Sequence, residues 1–237
     1  MPVLHRSLIQ SLPLFSAMDA AELDEVVAHA TALRIPKGTA VFKQGDAATT
    51  FYVLLNGRLK VVKMTPDGQQ VVIRFVVPGD IYGIAKALNR MDYPATATAL
   101  VDSVTLAWDM AIWDDFMARH PALARNVMQM MGQRIEDAHT RLKEMSTEDV
   151  EHRVAHAVLR LVNQSGRKVD EGVLVDFPIT RQEIAEASGT TLHSVSRVLS
   201  AWENAGLVVV GRQKVIVCDI ERLARIAEGS AAEPPGS

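Results

Sequence analysis

The 237-residue sequence predicts an α+β chain in which an antiparallel β domain, one long helix and a small helical domain closed by a β-hairpin follow one another. Three observations predict it. Short β-branched runs separated by turn residues fill the first half, and an unbroken helical stretch with a single apolar stripe follows His120-Pro121. Two capped helical segments with a glycine between them then lead into a short strand-turn-strand.

Composition sets the bounds. The length exceeds the about 100 to 150 residues usual for one domain, so two are expected. With 48% hydrophobic and 22% charged residues the chain reads as globular. No apolar run approaches the roughly 20 residues that span a bilayer. Met1 to Phe15, broken by His5, Arg6, Ser7, Gln10 and Pro13, lacks the continuous apolar core of a secretory signal. The expectation is a cytoplasmic protein with no membrane partner. A single cysteine, Cys218, excludes an intrachain disulfide framework and a four-cysteine iron–sulfur cluster held by one chain. At a net charge of -3, a nucleic-acid partner would have to be met by a local arrangement of side chains, not by a basic surplus.

The β domain is expected over 1–118. Its strand candidates are Val41-Phe42, Phe51 to Leu55, Leu59 to Lys63, Val71 to Val77 and Val104 to Trp108. Turns fall at Gly38, Gly45-Asp46, Asn56-Gly57, Pro66-Asp67-Gly68 and Pro78-Gly79-Asp80, where positive φ or a fixed proline φ is needed. Even spacing suggests a closed or rolled antiparallel sheet, with an open sandwich as the alternative.

The long helix is expected over 119–147. Ala124, Met128, Met131, Ile135, Ala138, Leu142 and Met145 alternate at four-three spacing and so share one narrow stripe. Arg134, Glu136, Arg141, Lys143 and Glu144 flank it with charge, which favours a parallel contact with a second copy over packing on the chain's own domain. The third region is expected over 148–229. Asp149 is a candidate N-cap for a helix burying Val150, Val154, Ala157, Val158 and Leu161, which a loop from Asn163 to Gly172 would end. Ser146 to Asp149 is the expected hinge, and residues 230–237 are expected to be a disordered tail.

The most informative stretch runs from Ile179 to Leu199. Thr180 and Glu183 form a capping box, Ala185 is small where two helices cross, and Gly189 supplies the positive φ of a tight turn. Thr191 caps the next helix, whose Val195, Val198 and Leu199 point inward while His193, Ser194, Ser196 and Arg197 form a polar face. Hydroxyls of that kind reach phosphates, and an arginine can bind guanine O6 and N7 through two donors. Gly206 to Val210 and Lys214 to Val217, joined by Gly211-Arg212-Gln213, make a hairpin wing. The pattern is a winged helix-turn-helix; the bland alternative is an ordinary αα-hairpin.

Over almost its whole length the chain resembles the CRP/FNR family of bacterial transcription regulators. Ile179 to Ile184 and Val195-Ser196-Arg197 carry the resemblance most specifically, with Phe51 to Gly57 and Pro78-Gly79-Asp80 similar to turns of the family's β domain. The resemblance implies an N-terminal cyclic-nucleotide-binding-type β-roll (jelly roll), a long dimerisation helix and a C-terminal winged helix-turn-helix. It implies a homodimer on a palindromic operator, with double-stranded DNA and RNA polymerase as partners. The candidate DNA-binding residues are Arg181, Gln182, Thr191, His193, Ser194, Ser196, Arg197, Arg212 and Lys214. Arg197 matches the family's guanine-reading arginine and Ser196 a base-contacting serine. His193 stands where the family carries a glutamate, so readout should differ at that base pair, unless His193 meets only phosphate.

The expected effector region comprises Ile73, Ile81, Gly83, Ile84, Ala85, Leu88, Pro94, Ala95, Ala138 and His139. Cyclic AMP receptors of the family use a Gly-Glu-Leu segment and an Arg-Ser pair, where this chain has Gly83-Ile84-Ala85 and Pro94-Ala95. Ala138-His139 replaces a Thr-Ser pair that contacts adenine. With no cation for the phosphate and no carboxylate for the ribose, cyclic AMP is not expected to bind in the usual mode. Haem in an apolar pocket of Ile73, Ile81, Ile84 and Leu88 is one candidate input, since Ser194 to Glu203 is similar to the nitric-oxide-responsive NnrR/DNR branch. His5, His29, His120 and His139 are its conceivable ligands, and the other possibility is no ligand at all. No P-loop, nucleophile elbow or zinc-binding His-Glu-x-x-His is present, so neither an enzyme nor a metal site is expected. A module acting through protein contacts alone would carry an apolar or acidic face in place of His193 to Arg197.

Overall fold

The computed structural model describes residues 5–68 and 70–229; the expected tail at 230–237 lies outside them. Two compact units emerge, and the division falls between Asp137 and Ala138, with residues 70–72 grouping with the second.

In the first unit the strands are β1 (Thr31–Ile35), β2 (Ala40–Phe42), β3 (Thr50–Asn56), β4 (Leu59–Met64), β5 (Gln70–Val76), β6 (Ile81–Tyr82), β7 (Thr96–Ala99) and β8 (Ser103–Asp109). They form two four-stranded sheets of order β1-β8-β3-β6 and β2-β7-β4-β5. This is the rolled arrangement the turn spacing predicts, with three strands more than the β-branched runs suggest: β1, β6 and β7. The register of β3 on β8 slips between Leu54 and Asn56, beside the turn at Gly57. There φ is +100°, and a Cβ would lie 2.2 Å from Ser103 Oγ, so only glycine fits.

Phe42, Tyr52, Leu54, Leu59, Tyr82 and Tyr93 fill one core of this unit. A second core gathers Phe51, Val53, Ile81, Leu106 and Trp108 with Leu23, Val26 and Val27 of helix α1 (Ala20–Ala28), Phe116 of α2 (Trp113–Arg119) and Leu123 and Val127 of α3 (Pro121–Thr147). Helix α1, which the sequence reading does not include, starts at an Asp19–Glu22 capping box. Trp108 Nε1 donates to the Val26 carbonyl at 2.8 Å, and Asn126 Nδ2 donates to the carbonyls of Leu14 and Ser16.

The second unit contains the rest of α3, then α4 (Val150–Ser165), β9 (Gly166–Val169), β10 (Gly172–Val175), α5 (Arg181–Ser188), α6 (Leu192–Asn204), β11 (Val208–Gly211), β12 (Lys214–Val217) and α7 (Ile220–Ala227). Asp149 caps α4 by accepting from His152 N at 3.1 Å. The expected loop from Asn163 to Gly172 is instead the end of α4 and a hairpin that joins the wing in one sheet, β11-β12-β10-β9. Gly172, at φ +144°, allows it: a Cβ there would meet the Val217 carbonyl oxygen at 2.2 Å.

Candidate nucleic-acid interface

The two helices of the motif are built as their sequence dictates. Thr180 Oγ1 accepts from Glu183 N at 3.1 Å while Glu183 Oε2 accepts from Thr180 N at 2.9 Å, which closes the capping box of α5. Helix α5 ends on Gly189 in the left-handed conformation, φ 62° and ψ 41°. Thr191 Oγ1 then accepts from Ser194 N at 3.1 Å to start α6. Val195, Val198, Leu199 and Trp202 bury one face of α6, and Trp202 Nε1 donates to Glu151 Oε1 of α4 at 2.8 Å. That packing forces the opposite face of α6 into solvent.

The nine residues expected to contact DNA fall into two groups. His193, Arg197, Arg212 and Lys214 are exposed and Ser196 is half-buried; none of these side chains makes a hydrogen bond or ion pair with a described residue. Arg181, half-buried at the start of α5, is equally free. Thr191, Ser194 and Gln182 are spent in part on the fold: Thr191 and Ser194 bond to one another at 3.0 Å, and Gln182 donates to Glu186. His193 and Arg197 stand one turn apart on the same face, and Ser200, which the sequence reading omits, is exposed three residues further on. The one acid of α6, Glu203, accepts from Val210 N at 3.1 Å and is thus held at the wing. In the wing, Gly211 pairs with Lys214 and the turn places Gln213 at φ 60°. The strand begins at Val208, not Gly206, because Gly206 at φ +67° follows the end of α6 and Leu207 N bonds back to the Trp202 carbonyl.

Comparison with known proteins places this arrangement. Residues 32–120 match the cyclic nucleotide-binding domain, and residues 152–226 match the Crp-like helix-turn-helix domain. The transcriptional regulator LdrP of Thermus thermophilus is 32% identical over 206 residues, covering 84% of this chain and 98% of that protein. This chain belongs to the CRP/FNR family of transcription regulators. The cyclic AMP receptor protein of Thermus thermophilus is 29% identical over 219 residues, 92% of this chain and 98% of that one. The solved structure of FixK2 from Bradyrhizobium japonicum shares the fold at a TM-score of 0.73, with 21% identity over 86% of this chain and 99% of that one. The family consists of regulators, not enzymes.

The sensor half of this CRP/FNR protein departs from one expectation. Ile73 is 42% exposed and Leu88 56% exposed, whereas Ile81 and Ile84 are buried in the core, so the four do not line one apolar pocket. Ile73 lies on the outward side of β5, and Leu88 ends a 3-10 turn at the surface, just before Asn89 in the left-handed conformation. Ala85 and Ala95 are buried, Pro94 is half-buried, and Ala138 and His139 are exposed on α3. Gly83, at φ +70°, is pressed against Tyr52, where a Cβ would come within 2.9 Å of the ring. Around it the rings of Phe42 and Tyr93 stack at 3.9 Å and those of Tyr52 and Tyr82 at 5.1 Å. Tyr82 donates to Thr105 Oγ1 and Tyr93 to the Thr50 carbonyl, and burial pushes both phenols above their ordinary range. The stretch expected to meet an effector is thus lined by small and apolar side chains beside phenols whose hydroxyls bond within the chain.

Two arginines of the first unit converge on Asp80. Arg74 donates to Asp80 Oδ2 at 2.9 Å and to the Ile81 carbonyl at 3.0 Å, and Arg134 of α3 donates to the same carbonyl at 2.5 Å. Burial, together with the charge of Arg74, brings Arg134 down to about 10, and burial lowers Arg74 as well.

Of the expected seam, Met128, Ile135, Leu142 and Met145 are 55–67% exposed and Ala138 is exposed. Ala124 and Met131 are half-buried, and Met131 packs against the first unit's own core, so the free stripe is shorter than the spacing suggests. Among the candidate iron ligands, His120 is buried against Phe116, while His5, His29 and His139 are exposed. No group of three metal-binding side chains occurs among the described residues.

Proposed function

We propose that the chain acts as a homodimer that reads a two-fold related DNA site, with α6 of each copy in a major groove and the β11–β12 wing on the flanking phosphates. One observation carries this reading: Arg197 stands exposed and unpartnered on a face of α6 made of His193, Ser196 and Ser200, with no free acid beside it. Five donors on a planar guanidinium left without a protein partner suit the O6 and N7 acceptors of guanine. The exposed apolar side chains of Met128, Ile135, Leu142 and Met145 support pairing through α3, since a lone chain gains nothing from leaving them in water. A module working by protein contact alone would need apolar or acidic groups on α6.

The same reading assigns Arg181, Arg212 and Lys214 to phosphates and gives His193 a base contact unlike that of a glutamate. It makes RNA polymerase a partner and the cytoplasm the working compartment; among the described residues no helix is long and apolar enough to cross a membrane. The β-roll takes no cyclic nucleotide by phosphate and ribose contacts, because Ile84, Ala85, Pro94 and Ala95 offer neither charge nor hydrogen bond there. Haem is the competing input, and titration of the purified protein should give only the absorption of free haem; a shifted Soret band would restore it. For the output, selection from random oligonucleotides at moderate salt should enrich a two-fold symmetric sequence. Recovery of no preferred sequence contradicts the reading.

A further inference from the structure

The end of α3 carries Glu144, and Glu148 follows just past it one turn on; both carboxylates face basic side chains of α4. Glu144 is only 4% exposed. Arg160 Nη1 donates to its two oxygens at 2.6 and 2.8 Å. His156, one turn before Arg160, lies between the carboxylates, with Nδ1 3.7 Å from Glu144 Oε1 and Nε2 3.4 Å from Glu148 Oε2. Arg153 Nη1 donates to the Glu148 carbonyl at 3.0 Å. The neighbouring residue, Met145, reaches the helix-turn-helix itself: a Cβ on Gly189 would lie 3.0 Å from its methyl carbon.

These contacts span the stretch between α3 and α4, the place where a free joint is expected from sequence. Only Glu148 and Asp149 separate the two helices, and Asp149 is fixed as the cap of α4. A two-residue joint would by itself let α4 swing against α3. A nearly buried carboxylate gripped through both oxygens by an arginine opposes this, because a swing breaks a charge-assisted, two-oxygen pair. The clamp and the Met145 contact lie within one compact unit, which begins at Ala138.

We propose that Glu144 is a positioning residue: its bond to Arg160, backed by His156 and Glu148, locks the end of α3 to the DNA-binding domain, so that the spacing of the two recognition helices in a dimer follows α3 directly. The proposal rests on the two-fold reading above. It makes the clamp the element that sets which separation of half-sites the protein accepts.

The test uses the full chain and three sets of DNA: one half-site, two half-sites at the selected spacing, and two half-sites with one base pair added or removed. Wild type should prefer the selected spacing by about tenfold or more, a coupling of ordinary size. Glu144→Gln and Arg160→Lys should each cut that preference to roughly twofold and leave half-site affinity within about twofold, because neither touches α6. Glu148→Gln, which alters a less buried carboxylate, should shift the preference the same way by less and decides the matter if Glu144→Gln fails to fold. The proposal is overturned if the variants keep the wild-type spacing preference, or if half-site and two-site affinities fall together. A wild type that selects no sequence at all would instead remove the DNA reading beneath it.

Discussion

In the first unit Arg74, Asp80 and Arg134 converge on one another and on the Ile81 carbonyl, and Tyr82 and Tyr93 spend their hydroxyls on Thr105 and Thr50. In the second, His193, Ser196, Arg197, Arg212 and Lys214 meet no polar group among the described residues. Both regions are built on well-packed apolar cores, so the contrast lies in where their polar groups are satisfied. A donor satisfied within the chain stabilises the fold and is closed to a ligand; a donor left in water costs the fold little and keeps its bonding capacity for a partner. Arg74 and Arg134 therefore read as structural and Arg197 of α6 as the side chain open to a partner, although residue type alone would not separate them.

The largest expected effect comes from breaking the internally satisfied side of this contrast. Asp80→Asn leaves two partly buried guanidiniums with no carboxylate and should cost the β-roll about 2 to 4 kcal/mol, read as a lower melting temperature by circular dichroism. If the loss is under about 0.5 kcal/mol, the cluster is not structural and an anion-binding role gains weight. Gly189→Ala tests the scaffold of the other side. Its positive φ and the Met145 methyl carbon oppose a Cβ, so a loss of about 1 to 2 kcal/mol is expected in chemical denaturation. The smallest effect belongs to the wing. Lys214→Ala should leave stability unchanged, weaken binding about equally on all DNA sequences and reduce the salt dependence of binding by a slope of about 1. A sequence-dependent loss would move Lys214 from phosphate to base contact.

What the sequence reveals follows from how local each feature is. The capping box of Thr180 and Glu183, the left-handed Gly189 and the cap at Thr191 depend on residues within three positions of one another, so their spacing alone gives the geometry. The exposure of Arg197 and His193 follows equally from the inward periodicity of Val195, Val198 and Leu199. Strand β7, Thr96–Ala99, has no such signal: its alternating threonines and alanines become a strand only because β4 and β2 lie on either side. Strand β9, Gly166–Val169, is hidden in a polar stretch for the same reason, since only its pairing with β10, itself held by β12, makes it part of a sheet. Val173-Leu174-Val175 of β10, by contrast, is a β-branched run open to sequence. Hydrophobicity alone places Ile73 and Leu88 inward, whereas sheet register and turn geometry turn both outward. The clamp at Glu144 could not be read at all, because its partners are brought together by the packing of α3 on α4.

The central claim, that an unpartnered arginine on α6 reads base edges, is tested most directly by comparing wild type and Arg197→Ala on the selected operator and on each of its single-base-pair variants. The account predicts a loss of about 1 to 3 kcal/mol per affected contact on the operator, with discrimination abolished at one base pair in each half-site and retained elsewhere. An equal loss on every sequence, random DNA included, would place Arg197 on the phosphate backbone and contradict it.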